Sequence, residues 1–168
     1  MATLRGGVYV TLNPVNPALL ARASNRLRTV GRNDALTSDA DITKRRWLPI
    51  DLDPVRPSGI SSTDQEHLLA VERAFQVRET LCRDGWPHPI VGDSGNGANL
   101  LYRVELPSGD HELVKRCLQA LAARFDDDRM KIDQKVFNPA RIWRLYGTVN
   151  RKGDNVAERP HRLARVTA

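Results

Sequence analysis

Trp47-Leu48-Pro49-Ile50-Asp51-Leu52-Asp53-Pro54 is a short apolar run that ends in two aspartates one residue apart. In a β-strand, residues i and i+2 point to the same side. Asp51 and Asp53 therefore aim two carboxylates at one spot, while Ile50 and Leu52 point the other way, into a core. Like charges held that close need compensation. A divalent cation with a preference for hard oxygen ligands, magnesium or manganese, supplies it. Pro54 has no N–H to donate and stops the strand, and Pro49 within it implies an edge position or a local distortion. A D-x-D also arises by chance in a chain with 20 acidic residues, so its meaning depends on what surrounds it.

Upstream, Gly6 to Leu12 reads as a first strand, rich in β-branched and aromatic residues. Pro17 suits the first turn of a helix covering Ala18 to Leu27, and Thr29 to Lys44 reads as a polar surface loop. Downstream, Ser62 with Gln65, or Thr63 with Glu66, has the form of a capping box. It opens a helix running to about Arg83, with Leu68, Val71, Phe75, Leu81 and Cys82 on its buried face. A strand at His88–Val91 and another at Ala98–Leu106 flank an Asn-Gly turn signal, which predicts a hairpin. Asp110 to Phe125 is a second amphipathic helix, with Leu113, Val114, Cys117, Leu118, Leu121 and Phe125 sharing a face. Met130–Asp133 is a short strand, Phe137–Tyr146 loop and strand, and Arg162–Val166 a last strand. Strands and helices alternate, but the hairpin argues for an α+β fold with a mixed or antiparallel sheet, not a doubly wound parallel one.

A length of 168 residues fits one domain with a sizeable core. Hydrophobic residues at 40% and charged residues at 27% match a soluble globular protein. No run approaches the roughly 20 apolar residues of a membrane span, and no signal peptide is visible at the start. Cys82 and Cys117 fall on apolar helix positions and read as buried, reduced thiols, which points to the cytoplasm. No Cys/His cluster has zinc spacing. The net charge of +6, mostly arginine, favours polyanions such as nucleic acid or nucleotides. Aromatics at 5% are too few for an evident base-stacking platform.

Three pieces can converge on one site. One is the Asp51/Asp53 pair. Another is the turn Ser94-Gly95-Asn96-Gly97, whose glycines allow close backbone approach and whose amides can face a phosphate. The third is Asp133, again an acid directly after an apolar residue. Three carboxylates from two strands make a cage for two divalent ions, as phosphoryl and nucleotidyl transfer use. Arg141, Arg144 and Lys152 add positive charge for a triphosphate. Each piece alone has a plainer explanation, as hairpin, turn former or solvated basic face; only the joint pattern is informative.

Leu48-Pro-Ile-Asp-Leu-Asp-Pro-Val-Arg-Pro57, then Asp93-Ser-Gly-Asn-Gly-Ala-Asn-Leu-Leu-Tyr102, then Lys131-Ile-Asp133 with Asn138-Pro-Ala-Arg-Ile-Trp-Arg-Leu-Tyr-Gly-Thr-Val-Asn-Arg-Lys152, resemble the three ordered motifs of the archaeo-eukaryotic primase superfamily. The resemblance is closest to primase-polymerase domains of plasmids, phages and other mobile elements, and runs from about Gly7 to His161. It implies an RRM-like catalytic sheet packed with a smaller N-terminal α/β unit. It implies metal-dependent, template-directed nucleotide addition that makes or extends primers on single-stranded DNA, with NTP or dNTP as substrate. Asp51, Asp53 and Asp133 match the metal-binding acids, for two Mg²⁺ or Mn²⁺ ions. Ser94 and Asn99 match the motif that grips the incoming phosphates. Arg144, Asn150 and Lys152 fall in the third-motif extension that helps hold the triphosphate. Such domains often belong to larger replication proteins with a helicase part, so residues 1–168 read as a catalytic core cut from a longer chain.

One position departs from the pattern: the family usually has histidine where this chain has Asn99. Asparagine can donate a hydrogen bond to a phosphate oxygen but cannot carry a proton or a charge. Two rivals stay open. One is a catalytically impaired module that binds nucleotide or single strands. The other is a phosphatase of the haloacid dehalogenase type, whose first motif Asp51-Leu-Asp53-Pro-Val55 also resembles, with one Asp as nucleophile and the other as acid/base.

Overall fold

The computed structural model describes residues 7–168, so Gly6, expected to begin the first strand, lies outside them. In chain order the strands are β1 (Tyr9–Thr11), β2 (Arg45–Pro54), β3 (Ile90–Asp93), β4 (Ala98–Leu106), β5 (Met130–Ile132), β6 (Ile142–Arg144), β7 (Val149–Asn150), β8 (Arg162–Leu163) and β9 (Arg165–Val166). The α-helices are α1 (Asp64–Arg83) and α2 (His111–Phe125). The main sheet has five strands in the order β5-β2-β4-β3-β9, and every pair in it is antiparallel. The fold is α+β. The hairpin between β3 and β4 reverses the chain between the two strand–helix–strand crossovers, so the interleaved elements build an antiparallel sheet.

Register puts the apolar and acidic residues of β2 on opposite faces. Leu48, Ile50 and Leu52 stand opposite Tyr102, Leu100 and Ala98, and all six are buried. Both helices pack on this face, joining Ala70, Ala74, Val77 and Leu81 of α1 and Val114, Leu118, Leu121 and Ala122 of α2 to one core. Asp51 stands opposite Asn99, and Asp53 opposite Lys131, on the other face. The strand carrying the aspartates is interior to the sheet, yet the expectation from Pro49 holds locally. β5 pairs with β2 only from Leu52 to Pro54, so at Pro49 the strand has a neighbour on one side alone, where a missing N–H is tolerated. Pro54 is the strand's last residue.

The helices differ from expectation in detail. α1 opens with the Thr63/Glu66 capping box: Thr63 Oγ1 accepts from Glu66 N at 3.1 Å, and Glu66 Oε2 accepts from Thr63 N at 2.8 Å. Its buried face runs through small residues, and Leu68 is 57% exposed. On α2, Leu113 also faces solvent. Cys82 and Cys117 are unpaired and only half-buried, and burial pushes the Cys117 thiol up.

The N-terminal part forms no α-helix. The expected helix from Ala18 to Leu27 is a 3₁₀ turn over Pro17–Arg22 with Pro17 in its first turn and no buried residue. Leu20 and Leu27 are exposed; with no apolar stripe packed on a partner, so short a segment does not sustain an α-helix. This part is tied down by strand pairing instead. β1 pairs with β6 in a two-stranded sheet. The buried Asn13 accepts from the amides of Arg46 and Trp47 at a bulge in β2 and donates to Pro139 O at 2.8 Å. The last strand, expected as one, is two short ones: β8 pairs with β7, and β9 adds to the main sheet beside β3. Ala164 between them is fully buried.

Candidate functional site

Asp51, Asp53 and Asp133 line one cavity of about 360 Å³ on the helix-free face of the sheet. Three local features bring them there. Strand alternation turns both β2 aspartates to this face. Antiparallel pairing of β5 with β2 delivers the third acid, because Ile132 stands opposite Leu52 and Asp133 N donates to Asp51 O at 2.9 Å. Asp133 also caps the 3₁₀ turn Gln134–Phe137, its Oδ1 accepting from Lys135 N at 2.8 Å.

The electrostatics follow from this crowding. Burial, then the neighbouring carboxylates of Asp53 and Asp133, push the Asp51 carboxyl well above the usual carboxylate range; Arg56 and Lys152 act against them. Hard oxygen donors that repel one another fit a divalent cation. Among the described residues, no three His, Cys, Asp or Glu side chains are placed so that together they could hold a metal ion. The fit therefore rests on the shared cavity and the mutual repulsion of the acids.

The same cavity collects nearly all the other expected residues: Ser94, Asn96, Asn99, Arg141, Arg144, Asn150 and Lys152. Gly95 and Gly97 are not in its wall; they let the turn pack. Gly95 has φ +83°, and a Cβ on Gly97 would lie 2.4 Å from Leu52 O. The expectation that the turn's amides face a phosphate is corrected. Gly95 N donates to Asp93 Oδ1 at 2.7 Å, and the amides of Asn96 and Gly97 donate to Ser94 Oγ at 3.4 and 2.9 Å. The short polar side chains of Asp93 and Ser94, adjacent at the start of the turn, are the acceptors these amides meet. With its oxygen accepting twice, the Ser94 hydroxyl keeps its proton to donate.

The basic residues differ in freedom. Arg144 is engaged, with Nη2 donating to the Tyr9 hydroxyl at 2.6 Å and its guanidinium 4.8 Å from the Tyr9 ring centre. Arg141 donates from Nη2 to Lys135 O, and its buried Nε has no partner among the described residues. Asn150 donates to Ser94 O at 2.8 Å and steadies the turn, while its buried Oδ1 is unpartnered among the described residues. Lys152 and Arg151 are exposed at the cavity wall.

Sequence reasoning missed several residues. Arg56 is held by the carbonyls of Pro54 and Ile60 and sets Nη2 3.5 Å from Asp53 Oδ1; its place three residues after Asp53 was the available signal. Tyr9 and Trp143 also line the cavity, and nothing local in the sequence marks them. Asp93, buried, ties the turn to α1: its Oδ1 lies 2.7 Å from His67 Nε2 and its Oδ2 3.5 Å from Arg165 Nε. Burial raises the Asp93 carboxyl, but His67, the Gly95 amide and Arg165 outweigh that and hold it below its ordinary value.

No family model matches the chain, and neither a curated protein nor a solved structure matches it. Among the described helices, none is long and apolar enough to cross a membrane.

Proposed function

We propose that the protein is the catalytic core of a DNA primase-polymerase, a nucleotidyltransferase of the archaeo-eukaryotic primase type that makes or extends primers on single-stranded DNA. The observation that carries this reading is one cavity lined by three carboxylates from two separate chain segments together with arginine and lysine side chains. The strand order β5-β2-β4-β3, reached through a strand–helix–strand–strand–helix–strand path, supports the RRM-like sheet that the reading requires. Asp51, Asp53 and Asp133 are the residues that would hold two Mg²⁺ or Mn²⁺ ions. When bound, such ions activate an attacking hydroxyl and neutralise a departing pyrophosphate.

The chain's own groups do the rest. Arg56, Arg141 and Lys152 attract and orient a triphosphate. The Ser94 hydroxyl donates to a phosphate oxygen. Exposed basic side chains track the template backbone without reading bases.

A second reading is favoured by one observation: position 99 carries an uncharged amide. In that reading the protein binds nucleotide or single strands with metal but releases no pyrophosphate. The phosphatase alternative draws no support from an antiparallel sheet, since its motif ends the first strand of a parallel one. Incorporation of labelled nucleotide on a single-stranded template with Mn²⁺ tests the proposal. Activity lost in Asp51→Ala with Asp53→Ala supports it, metal-dependent binding without incorporation selects the second reading, and turnover of a simple phosphomonoester selects the third.

A further inference from the structure

Asn99 sits at the centre of the site, opposite Asp51 on one side and Gly92 on the other. It is 3% exposed and lines the cavity. A side-chain amide has a donor end and an acceptor end of nearly the same shape, so its partners decide which end faces a ligand. Here the partner is Tyr146, whose hydroxyl lies 2.5 Å from Asn99 Oδ1. The hydroxyl is in turn met by Trp143 Nε1 at 3.4 Å. An indole N–H can only donate. It occupies one lone pair of the Tyr146 oxygen and leaves the phenolic proton free, and that proton is donated to Asn99 Oδ1. Asn99 Oδ1 is thereby spent as an acceptor, and among the described residues nothing accepts from its Nδ2. Room for this arrangement is built into the strand: a Cβ on Gly92 would lie 2.2 Å from the Tyr146 hydroxyl and 2.3 Å from Asn99 Oδ1.

We infer that Trp143 and Tyr146 set the polarity of Asn99, so that the cavity beside Asp51 presents an amide N–H, and not a carbonyl, to an anionic oxygen of the ligand. Tyr146 is on this account a positioning residue. It acts through Asn99 and gives position 99 a donor with no titrating proton. The inference rests on the reading of the site as one for a nucleoside triphosphate.

The test is a double-mutant cycle read by affinity for a non-hydrolysable nucleoside triphosphate with Mg²⁺. Tyr146→Phe frees the amide to turn its carbonyl to the ligand and weakens binding roughly five- to tenfold. Asn99→Ala weakens it by a similar factor, and adding Tyr146→Phe to Asn99→Ala changes nothing further. In ¹⁵N spectra, the Asn99 side-chain NH₂ pair of the wild type shifts on saturation with the analogue. If Tyr146→Phe does not fold, Trp143→Phe, which removes the indole donor together with one ring of the side chain, carries the comparison, read against the same change in the Asn99→Ala background so that the packing loss cancels. Equal losses from Tyr146→Phe with and without Asn99 would overturn the inference and leave Tyr146 a packing residue. So would tight binding unchanged in Tyr146→Phe, or an Asn99 NH₂ pair that does not move. A wild type that binds no nucleotide at all overturns the functional reading, and this inference with it, which separates the two failures.

Discussion

Asp51 is the residue on which the most forces meet. Its carboxyl is raised by burial and by Asp53 and Asp133, so an ionised Asp51 opposes folding wherever no cation offsets it. For an acid whose folded-state value is raised, stability falls as pH climbs from the unfolded value toward the folded one. Asp51→Asn is therefore expected to raise metal-free stability at neutral pH by about 1–2 kcal/mol, read by urea melts in EDTA, while ending nucleotide incorporation. A second expectation concerns Gly97. A Cβ there meets Leu52 O at 2.4 Å and Asp53 Oδ1 at 3.2 Å. Gly97→Ala should cost about 1–3 kcal/mol, seen as a lower urea midpoint. The paired aspartates were legible in the sequence because the two-residue period of a strand fixes where they point. Tyr146 and Gly92 were not, because their roles depend on what lies across from them in space. The internal use of the amides at 95–97 was hidden for the same reason: a Ser-Gly-Asn-Gly turn reads alike whether its N–H groups face a ligand or their own side chains.

At the scale of elements, α1 shows where pattern reading misleads. Weighting large apolar residues puts Leu68 inward, whereas the buried positions are Ala70, Ala74, Val77 and Leu81, small enough for the helix to lie close on β2 and β4. Its start was legible, because the Thr63/Glu66 box is a local exchange of hydrogen bonds. Thr63→Ala should remove about 1 kcal/mol, measurable by thermal melting. The Asp93 junction of β3, α1 and β9 gives a pH-dependent counterpart. Its carboxyl is held below the ordinary value, so it contributes stability above the unfolded value of about 3.9 and loses it as pH falls through the folded one. Asp93→Asn should cost about 1–3 kcal/mol at pH 7, and the deficit should shrink as melts are taken to more acid pH. The missing N-terminal helix follows from Leu20 and Leu27 facing solvent; helical spacing without a surface to cover is not enough.

At the scale of the whole molecule, the hairpin signal and the two amphipathic helices made the antiparallel α+β sheet legible. Which strands become neighbours, and that residues near Tyr9 and Lys152 close over the face of β2, come from crossovers and long-range pairing that no local pattern encodes. The charge balance is also a property of the whole. With a net charge of +6, single-strand binding on the proposed reading should weaken steeply with salt, and Arg151→Ala, at the exposed cavity wall, should lower the slope of log K against log salt by about 0.7. The central claim is that acids far apart along the chain act as one ion site. Electron paramagnetic resonance titration of Mn²⁺, with a non-hydrolysable nucleoside triphosphate present, tests it most directly. Asp133→Ala is expected to abolish tight Mn²⁺ binding as fully as Asp51→Ala does; Asp133→Ala binding Mn²⁺ like the wild type would contradict the account.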